Sequence, residues 1–186
     1  MLSEQEIIRR EKLNKLREYG LDPYPAALFP VNTYTSKIIS DFTDNQSVSI
    51  AGRLMSRRIQ GKPSFAEIQD SQGKIQLYFN RDIICPSEDK LMYNEVYKKL
   101  LDIGDIIGIE GNLFTTKVGE KTISVKKFTV LSKSLRPLPL PKSDSEGNVF
   151  DEFTDPELRY RQRYVDLIVN PKIKETFLKR TKIINI

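Results

Sequence analysis

The sequence has 186 residues, of which 39% are hydrophobic and 30% are charged, so it allows one medium-sized domain, or one small domain and part of another. It contains no His and a single Cys, Cys85, which excludes His-based catalysis, a Cys/His zinc site and an intramolecular disulfide. Its net charge of +5 and pI of about 9.2 suit a polyanionic partner such as nucleic acid, or simply a well-solvated surface.

No long apolar run and no signal-peptide pattern is present, so we expect a cytoplasmic protein without a membrane segment.

The first twenty residues are predicted to form a helix. Ser3 and Glu6 have capping-box spacing, and Gly20 stands where a glycine ends a helix. The charges along this helix are mixed, which favours a solvated helix over an RNA-binding arm. Pro23, Pro25 and Pro30 then predict an irregular strap over residues 22–45.

Residues 48–130 carry the clearest periodicity. Alternating apolar positions predict strands over residues 48–55, 64–69 and 74–79, separated by turns at 61–63 and 70–73. Helical spacing follows over residues 87–101, with Ser87 as the expected N-cap. Two more strands are predicted over 106–115 and 122–131. Three strands, a helix and two strands is the order of the OB-fold, a five-stranded Greek-key barrel.

The last third of the sequence predicts a domain boundary. Residues 134–141 are Pro-rich and residues 142–148 are polar, so a semi-rigid linker and a mobile loop are expected. A helix with Pro156 at its first position is predicted to run to about Asn170, and Pro171 to begin another. Because the apolar stripe of that last helix is still open at Ile186, we expect the sequence to continue into a larger domain.

Two groups of basic residues in the sequence each allow two functional interpretations. The Arg- and Tyr-rich residues 159–164 favour a domain or subunit interface over nucleic-acid binding. Arg57 and Arg58, with Lys62 nearby, form either a phosphate clamp or a charged strand edge that prevents aggregation.

The predicted hairpin over residues 64–79 places an aromatic side chain on its polar face. A turn at 70–73 sets Ile68 opposite Ile75 and Ala66 opposite Leu77 on the apolar face. The other face carries Phe65, Glu67, Gln69, Gln76 and Tyr78.

Phe65, Gln76 and Arg58, which ends the preceding strand, have the chemistry of single-stranded base recognition. The ring can stack on a base, the amide can donate and accept, and the guanidinium can bind phosphate or a base carbonyl. Alternatively, Phe65 fills a second core and Gln76 only faces water. Glu120, at the tip of the last hairpin, is either a solvated turn acid or an acceptor for a donating base edge.

Six strings stand out between residue 48 and the end of the sequence. They are VSIAGR (48–53), KPSFAEIQD (62–70), GKIQLY (73–78), LDIGDIIGIEG (101–111), RPLP (136–139) and LRYRQRYVDL (158–167). Together they resemble class II lysyl-tRNA synthetases of bacterial type. The last string is the most specific, whereas the central GDIIG also suits the aspartyl and asparaginyl relatives.

This resemblance implies an N-terminal OB-fold that binds the anticodon loop of lysine tRNA, followed by a class II catalytic domain. It implies that the whole enzyme is a cytoplasmic homodimer that joins lysine to tRNA through lysyl-adenylate, with ATP and Mg²⁺. It also implies that Phe65 stacks on the central anticodon uridine, that Gln76 and Arg58 hydrogen-bond to it, and that Glu120 binds the first anticodon base.

The sequence departs from that family's full pattern. Motif 1 only begins over residues 177–186 and lacks its proline, and motifs 2 and 3 are absent. We therefore expect these residues to bind an anticodon without forming adenylate, and to contain no catalytic, cofactor-binding or metal-binding residue. A Gly-rich phosphate loop and a close acidic cluster for Mg²⁺ are also absent.

The predicted organisation has four parts: a helix and strap (1–46), an OB-fold (47–133), a linker and loop (134–150), and the start of a catalytic domain (151–186). The functional alternatives are a general single-stranded nucleic-acid-binding OB module, or a fragment of an aspartyl- or asparaginyl-type synthetase.

Overall fold

The structure, a computed structural model, describes residues 2–143, 149–150 and 153–186. It has two compact units, Met1–Pro137 and Leu138–Ile186.

The first unit is built on a closed five-stranded barrel with the strand order β1-β2-β3-β5-β4. Pairing between β1 and β4 closes the ring, and only the β3–β5 pair is parallel within it. This topology confirms the predicted OB-fold. The strands are β1 (Ser47–Ile59), β2 (Pro63–Gln69), β3 (Lys74–Asn80), β4 (Ile106–Thr115) and β5 (Lys121–Ser132).

Alternation along β2 and β3 separates the barrel core from the outer face. Ile68 pairs with Ile75 and Ala66 with Leu77, as predicted, and all four side chains are buried in the core. Because neighbouring residues of a strand point to opposite sides, the intervening polar and aromatic residues lie outside the barrel.

An N-terminal helix, α1 (Glu4–Glu18), buries Leu13 and Leu16, and Leu16 belongs to the hydrophobic core cluster of the first unit. The predicted capping box is present between Ser3 and Glu6. Gly20 adopts a φ of +73°, the left-handed conformation expected of a glycine that ends a helix.

The strap contains a short helix, α2 (Thr35–Ser40), where only irregular structure was predicted. The carboxylate of Asp70, in the β2–β3 turn, accepts hydrogen bonds from the Thr35 backbone N–H at 2.8 Å and from its hydroxyl at 2.7 Å. These bonds satisfy donors at the start of the helix. A partner so distant in the chain leaves no local signal in the sequence.

The helix predicted over residues 87–101 is different in the structure. A short helix α3 (Arg81–Ile84) comes first, and the main element is a π-helix, Met92–Leu100. Its wider turn is seen where the Leu101 N–H donates to the Val96 carbonyl at 2.9 Å. Ser87 is not its cap: the N-cap is Leu91, with no side-chain capping hydrogen bond. The Leu91 N–H itself donates to Asp89 at 2.8 Å.

The second unit contains a two-stranded pair, β6 (Lys142–Ser143) with β7 (Val149–Phe150), and three helices among its described residues. Residues 144–148, in the predicted mobile loop, lie outside the described residues. The helices are α4 (Pro156–Arg161), α5 (Arg163–Val169) and α6 (Pro171–Ile184).

The single helix predicted from Pro156 to about Asn170 is therefore interrupted, at Gln162. That residue leaves the helical conformation with φ −116° and ψ 52°. The interruption accompanies a buried carboxylate, Asp166, which accepts from Arg159 at 3.0 Å and from the Asn170 amide at 2.6 Å. The Arg159–Asp166 ion pair spans this break.

Candidate nucleic-acid interface

A groove of about 800 Å³ lies on the outer face of the β2–β3 hairpin, between the end of β1 and the β4–β5 turn. Its lining includes Phe65, Gln76, Arg58 and Glu120. The structure thus brings all four predicted site residues, which come from four different strands or turns, around one concavity.

Strand register accounts for the placement of the aromatic residue. Phe65 pairs with Arg58 on β1 and with Tyr78 on β3. The Phe65 and Tyr78 rings are 5.4 Å apart between centroids and tilted by 52°. Phe114 on β4 extends this row, since its ring is 5.7 Å from that of Tyr78. Phe65 is half-buried, so it is supported on one side while still lining the groove.

The Gln76 side chain is fixed by a neighbouring strand. Its Oε1 accepts a hydrogen bond from the Thr122 hydroxyl at 2.8 Å. Its Nε2 has no protein partner in the part of the chain that the structure describes. Glu67, which pairs with Gln76 across the hairpin, forms an ion pair with Lys74 at 3.0 Å. The amide N–H groups of Gln76 are therefore available to a ligand in the groove.

Arg58 extends from the exposed end of β1. Among residues 2–143, 149–150 and 153–186, no carboxylate or carbonyl is hydrogen-bonded to its guanidinium. A cation that is not engaged by the protein can bind a phosphate or a base carbonyl without first breaking an internal bond.

Glu120 is placed by the backbone of the β4–β5 turn. Its N–H donates to the Thr116 hydroxyl at 2.9 Å, and its carbonyl accepts from the Thr116 N–H at 3.0 Å. The next residue, Lys121, donates from Nζ to the Ile39 carbonyl on α2 at 2.7 Å. The Glu120 carboxylate itself is exposed, and no described side chain pairs with it.

The charge of the groove lining is mixed but predominantly basic. Arginine or lysine supplies four of the lining residues and glutamate supplies two. One of the glutamates, Glu67, is already paired with Lys74. The unpaired charge therefore favours a polyanion.

Two features of the site escaped the sequence analysis: one residue that lines the groove and one that supports a lining residue from behind. Ile39 belongs to α2. That helix was not predicted, because the prolines of the strap indicated irregular structure. Thr122 reaches Gln76 only through the parallel pairing of β3 with β5. The predicted Greek-key order was the one signal that could have placed those two strands side by side.

The arginines of the Arg- and Tyr-rich segment in the second unit form ion pairs with acidic residues close by in the chain. Asp166 pairs with Arg159 and Arg163, and Glu157 pairs with Arg161 at 2.8 Å. Tyr160 is 75% exposed and has the Arg163 guanidinium 4.9 Å from its ring centroid. With its arginines committed to ion pairs, this segment is poorly suited to binding phosphates.

Among the described residues, no group of three or more His, Cys, Asp or Glu side chains could hold a metal ion. Over the same residues, no helix is long and apolar enough to cross a membrane.

A closed five-stranded barrel with a basic, aromatic groove on its β2–β3 face defines an OB-fold nucleic-acid-binding domain. Residues 48–131 match the family model of that description, the OB-fold nucleic acid binding domain.

Comparison with curated proteins shows which OB-fold proteins this chain is similar to. The chain is 67% identical over 184 residues to the lysine–tRNA ligase of Christiangramia forsetii, covering 99% of this chain and 32% of that protein. It is 55% identical over 189 residues to the lysine–tRNA ligase of Porphyromonas gingivalis, with 99% and 32% covered. That of Azobacteroides pseudotrichonymphae is 56% identical over 187 residues, with 99% and 37% covered.

The chain matches the N-terminal region of lysine–tRNA ligases, which confirms the resemblance seen in the sequence. It spans about a third of the length of these relatives and corresponds to their N-terminal region.

Proposed function

We propose that this chain is the anticodon-binding part of a lysine–tRNA ligase, and that its groove binds the anticodon loop of lysine tRNA. The observation that carries the proposal is the convergence of Phe65, Arg58, Gln76 and Glu120 on one groove. The family match favours this function over a general single-stranded nucleic-acid-binding module and over an aspartyl- or asparaginyl-type fragment.

Each side chain has a role that its surroundings support. Phe65, which is backed by Tyr78, stacks on the central base of the anticodon, an interaction that tolerates any base. Arg58 and the Nε2 group of Gln76 then donate to that base, and such donors prefer carbonyl oxygens. Stacking supplies affinity, and the two donors supply the preference for uracil.

Glu120 acts on a different base. A carboxylate only accepts hydrogen bonds, so Glu120 selects a base edge that presents N–H donors. The turn hydrogen bonds to Thr116 hold the backbone of Glu120 while its carboxylate stays exposed. On the family resemblance we assign the first anticodon base to Glu120.

The activity of the whole protein follows from the family rather than from these residues. We infer a cytoplasmic homodimer that attaches lysine to tRNA through lysyl-adenylate with ATP and Mg²⁺. Within it, residues 1–46 would form the helix and strap, 47–133 the anticodon-binding domain, 134–150 the linker, and 151–186 the start of the catalytic domain.

Fluorescence anisotropy with lysine-tRNA anticodon stem-loops tests the assignment. One loop keeps the central U and the other carries C, and both are titrated at low and moderate salt. We expect the U-to-C change to weaken binding about tenfold, since it leaves groove donors without acceptors. Equal binding to both loops would instead identify a general single-strand binder governed by salt.

A lysine-dependent pyrophosphate-exchange assay tests whether this chain can form lysyl-adenylate by itself. We expect no exchange, because motifs 2 and 3 of the family are absent from the sequence. Lysyl-adenylate formation by these residues alone would contradict the proposed role.

A further inference from the structure

We propose that Thr122 is a positioning residue that orients the Gln76 amide and thereby sets which bases the groove accepts. The inference rests on the proposed function, because it concerns how the anticodon-binding groove discriminates. It assigns to a buried hydroxyl a role in specificity without any contact to the base.

The Thr122 hydroxyl lies between the two residues assigned to base recognition. It is 2.8 Å from Oε1 of Gln76 and 3.2 Å from the backbone carbonyl oxygen of Glu120. Thr122 is 0% exposed, so water cannot replace either partner. The hydroxyl has one proton, and the shorter contact makes Gln76 its principal acceptor.

This contact decides which end of the amide faces the groove. Gln76 and Thr122 are directly paired in the parallel β3–β5 register, so their side chains are held side by side. Donation from Thr122 turns Oε1 toward β5 and leaves the two Nε2 protons for a ligand. An amide that was free to rotate would present donor and acceptor equally well.

The orientation has a direct consequence for base choice. Uracil carries an acceptor carbonyl, O4, at the position where cytosine carries a donor amino group. A Gln76 amide locked with Nε2 toward the groove therefore binds uracil and opposes cytosine, whereas a freely rotating amide can accommodate both. Thr122 thus makes the Gln76 amide, which could otherwise bind either base, selective for uracil.

The test compares Thr122→Val, which removes the hydroxyl but keeps the branched shape, with Thr122→Ser, which retains the hydroxyl. Each variant is titrated by anisotropy with the U-centred and C-centred stem-loops. We expect Thr122→Val to reduce the U/C ratio of affinities about three- to tenfold, mainly by improving binding of the C loop. Thr122→Ser should keep the wild-type ratio.

A double-mutant cycle with Gln76→Ala separates this role from a merely structural one. In the wild-type background Gln76→Ala should lower the U/C ratio, and in the Thr122→Val background it should have little further effect. An undiminished effect of Gln76→Ala in the Thr122→Val background would overturn the inference, as would an unchanged U/C ratio in Thr122→Val.

Failure of the proposed function gives a different result, because the wild-type chain itself would then bind both loops equally. If Thr122→Val does not fold, side-chain amide NMR of the wild-type chain decides. A single ordered Gln76 amide with a close contact to Thr122 supports the inference, and a rotationally averaged amide contradicts it.

Discussion

Arg57 and Arg58 are adjacent on β1, yet their guanidinium groups have different surroundings. Arg57 donates to the backbone carbonyl of Tyr97, and its Cζ lies 5.7 Å from the Tyr97 ring centroid. Arg58 pairs in register with Phe65 and is exposed, with no partner in the described part of the chain. Arg57 and Arg58 were considered together as a phosphate clamp. Both line the groove, but only Arg58 is free to bind a ligand.

Substituting these two arginines should affect different properties. Arg58→Ala should weaken binding of the U-centred stem-loop by about 1–3 kcal/mol and lower the U/C ratio of affinities, with an unchanged unfolding midpoint. Arg57→Ala should instead destabilise the barrel by about 1–2 kcal/mol, because it removes a charged hydrogen bond to the π-helix. Anisotropy with the two stem-loops and urea unfolding measure the two effects, and an exchange of the two phenotypes would refute the division.

The ring of Phe65 should account for much of the affinity for the loop. Phe65→Leu keeps an apolar side chain but removes stacking, so we expect a loss of about 1–3 kcal/mol in binding for both the U and C loops. Leu28→Ala is the matched control, since Leu28 is 95% exposed and lies outside the groove lining. An unchanged affinity for Phe65→Leu would show that Phe65 belongs to the packing of the outer face.

The hairpin could be predicted from the sequence because its determinants are local. Alternation and the turn at residues 70–73 set Phe65 opposite Tyr78 and Glu67 opposite Gln76, and a slip of one residue would have exposed Ile68 and buried polar groups. The same logic placed Phe65, Gln76 and Arg58 on the outer face.

Two features that could not be predicted depend on partners distant in the chain. Helix α2 begins where Asp70 accepts from Thr35. The position of Thr122 beside Gln76 requires the parallel β3–β5 register. Tertiary contacts of this kind override local propensity.

A buried lysine should be critical for the stability of the first unit. The side chain of Lys133 is 0% exposed and pairs with Asp102 at 2.5 Å and Asp105 at 2.7 Å. Lys133→Met would leave these carboxylates without their shared cation, so we expect a loss of about 3–5 kcal/mol in unfolding free energy.

Lys127→Met is the control for that substitution. Lys127 is on β5, which ends one residue before Lys133. It is exposed and forms only a 3.7 Å pair with Glu110, so a change below about 0.5 kcal/mol is expected. Urea unfolding compares the two variants, and similar stabilities would show that the buried lysine is dispensable.

Asp102 and Asp105 share Lys133 but should titrate in opposite directions. Burial raises the pKa of Asp105, and the attraction of Lys133 opposes this only in part. Burial also acts to raise the pKa of Asp102, but hydrogen bonds from Lys12 and Lys133 outweigh it and lower the pKa below its usual range. The Lys12 bond, which is 2.5 Å long, is the contact that Asp105 lacks.

Carboxyl-carbon NMR during an acid titration should therefore show Asp105 protonating at a higher pH than Asp102. The stabilisation from ionised Asp102 is complete above its unfolded-state pKa of about 3.9 and is lost as the pH falls through its lower folded-state pKa. Asp105 has the opposite sign: its contribution is complete below its unfolded-state pKa and is lost as the pH rises through its raised folded-state pKa. Lys12→Met should raise the pKa of Asp102 selectively, since it leaves Lys133 in place. If Asp102 protonates first in the wild-type chain, the assignment of Lys12 as its decisive partner is wrong.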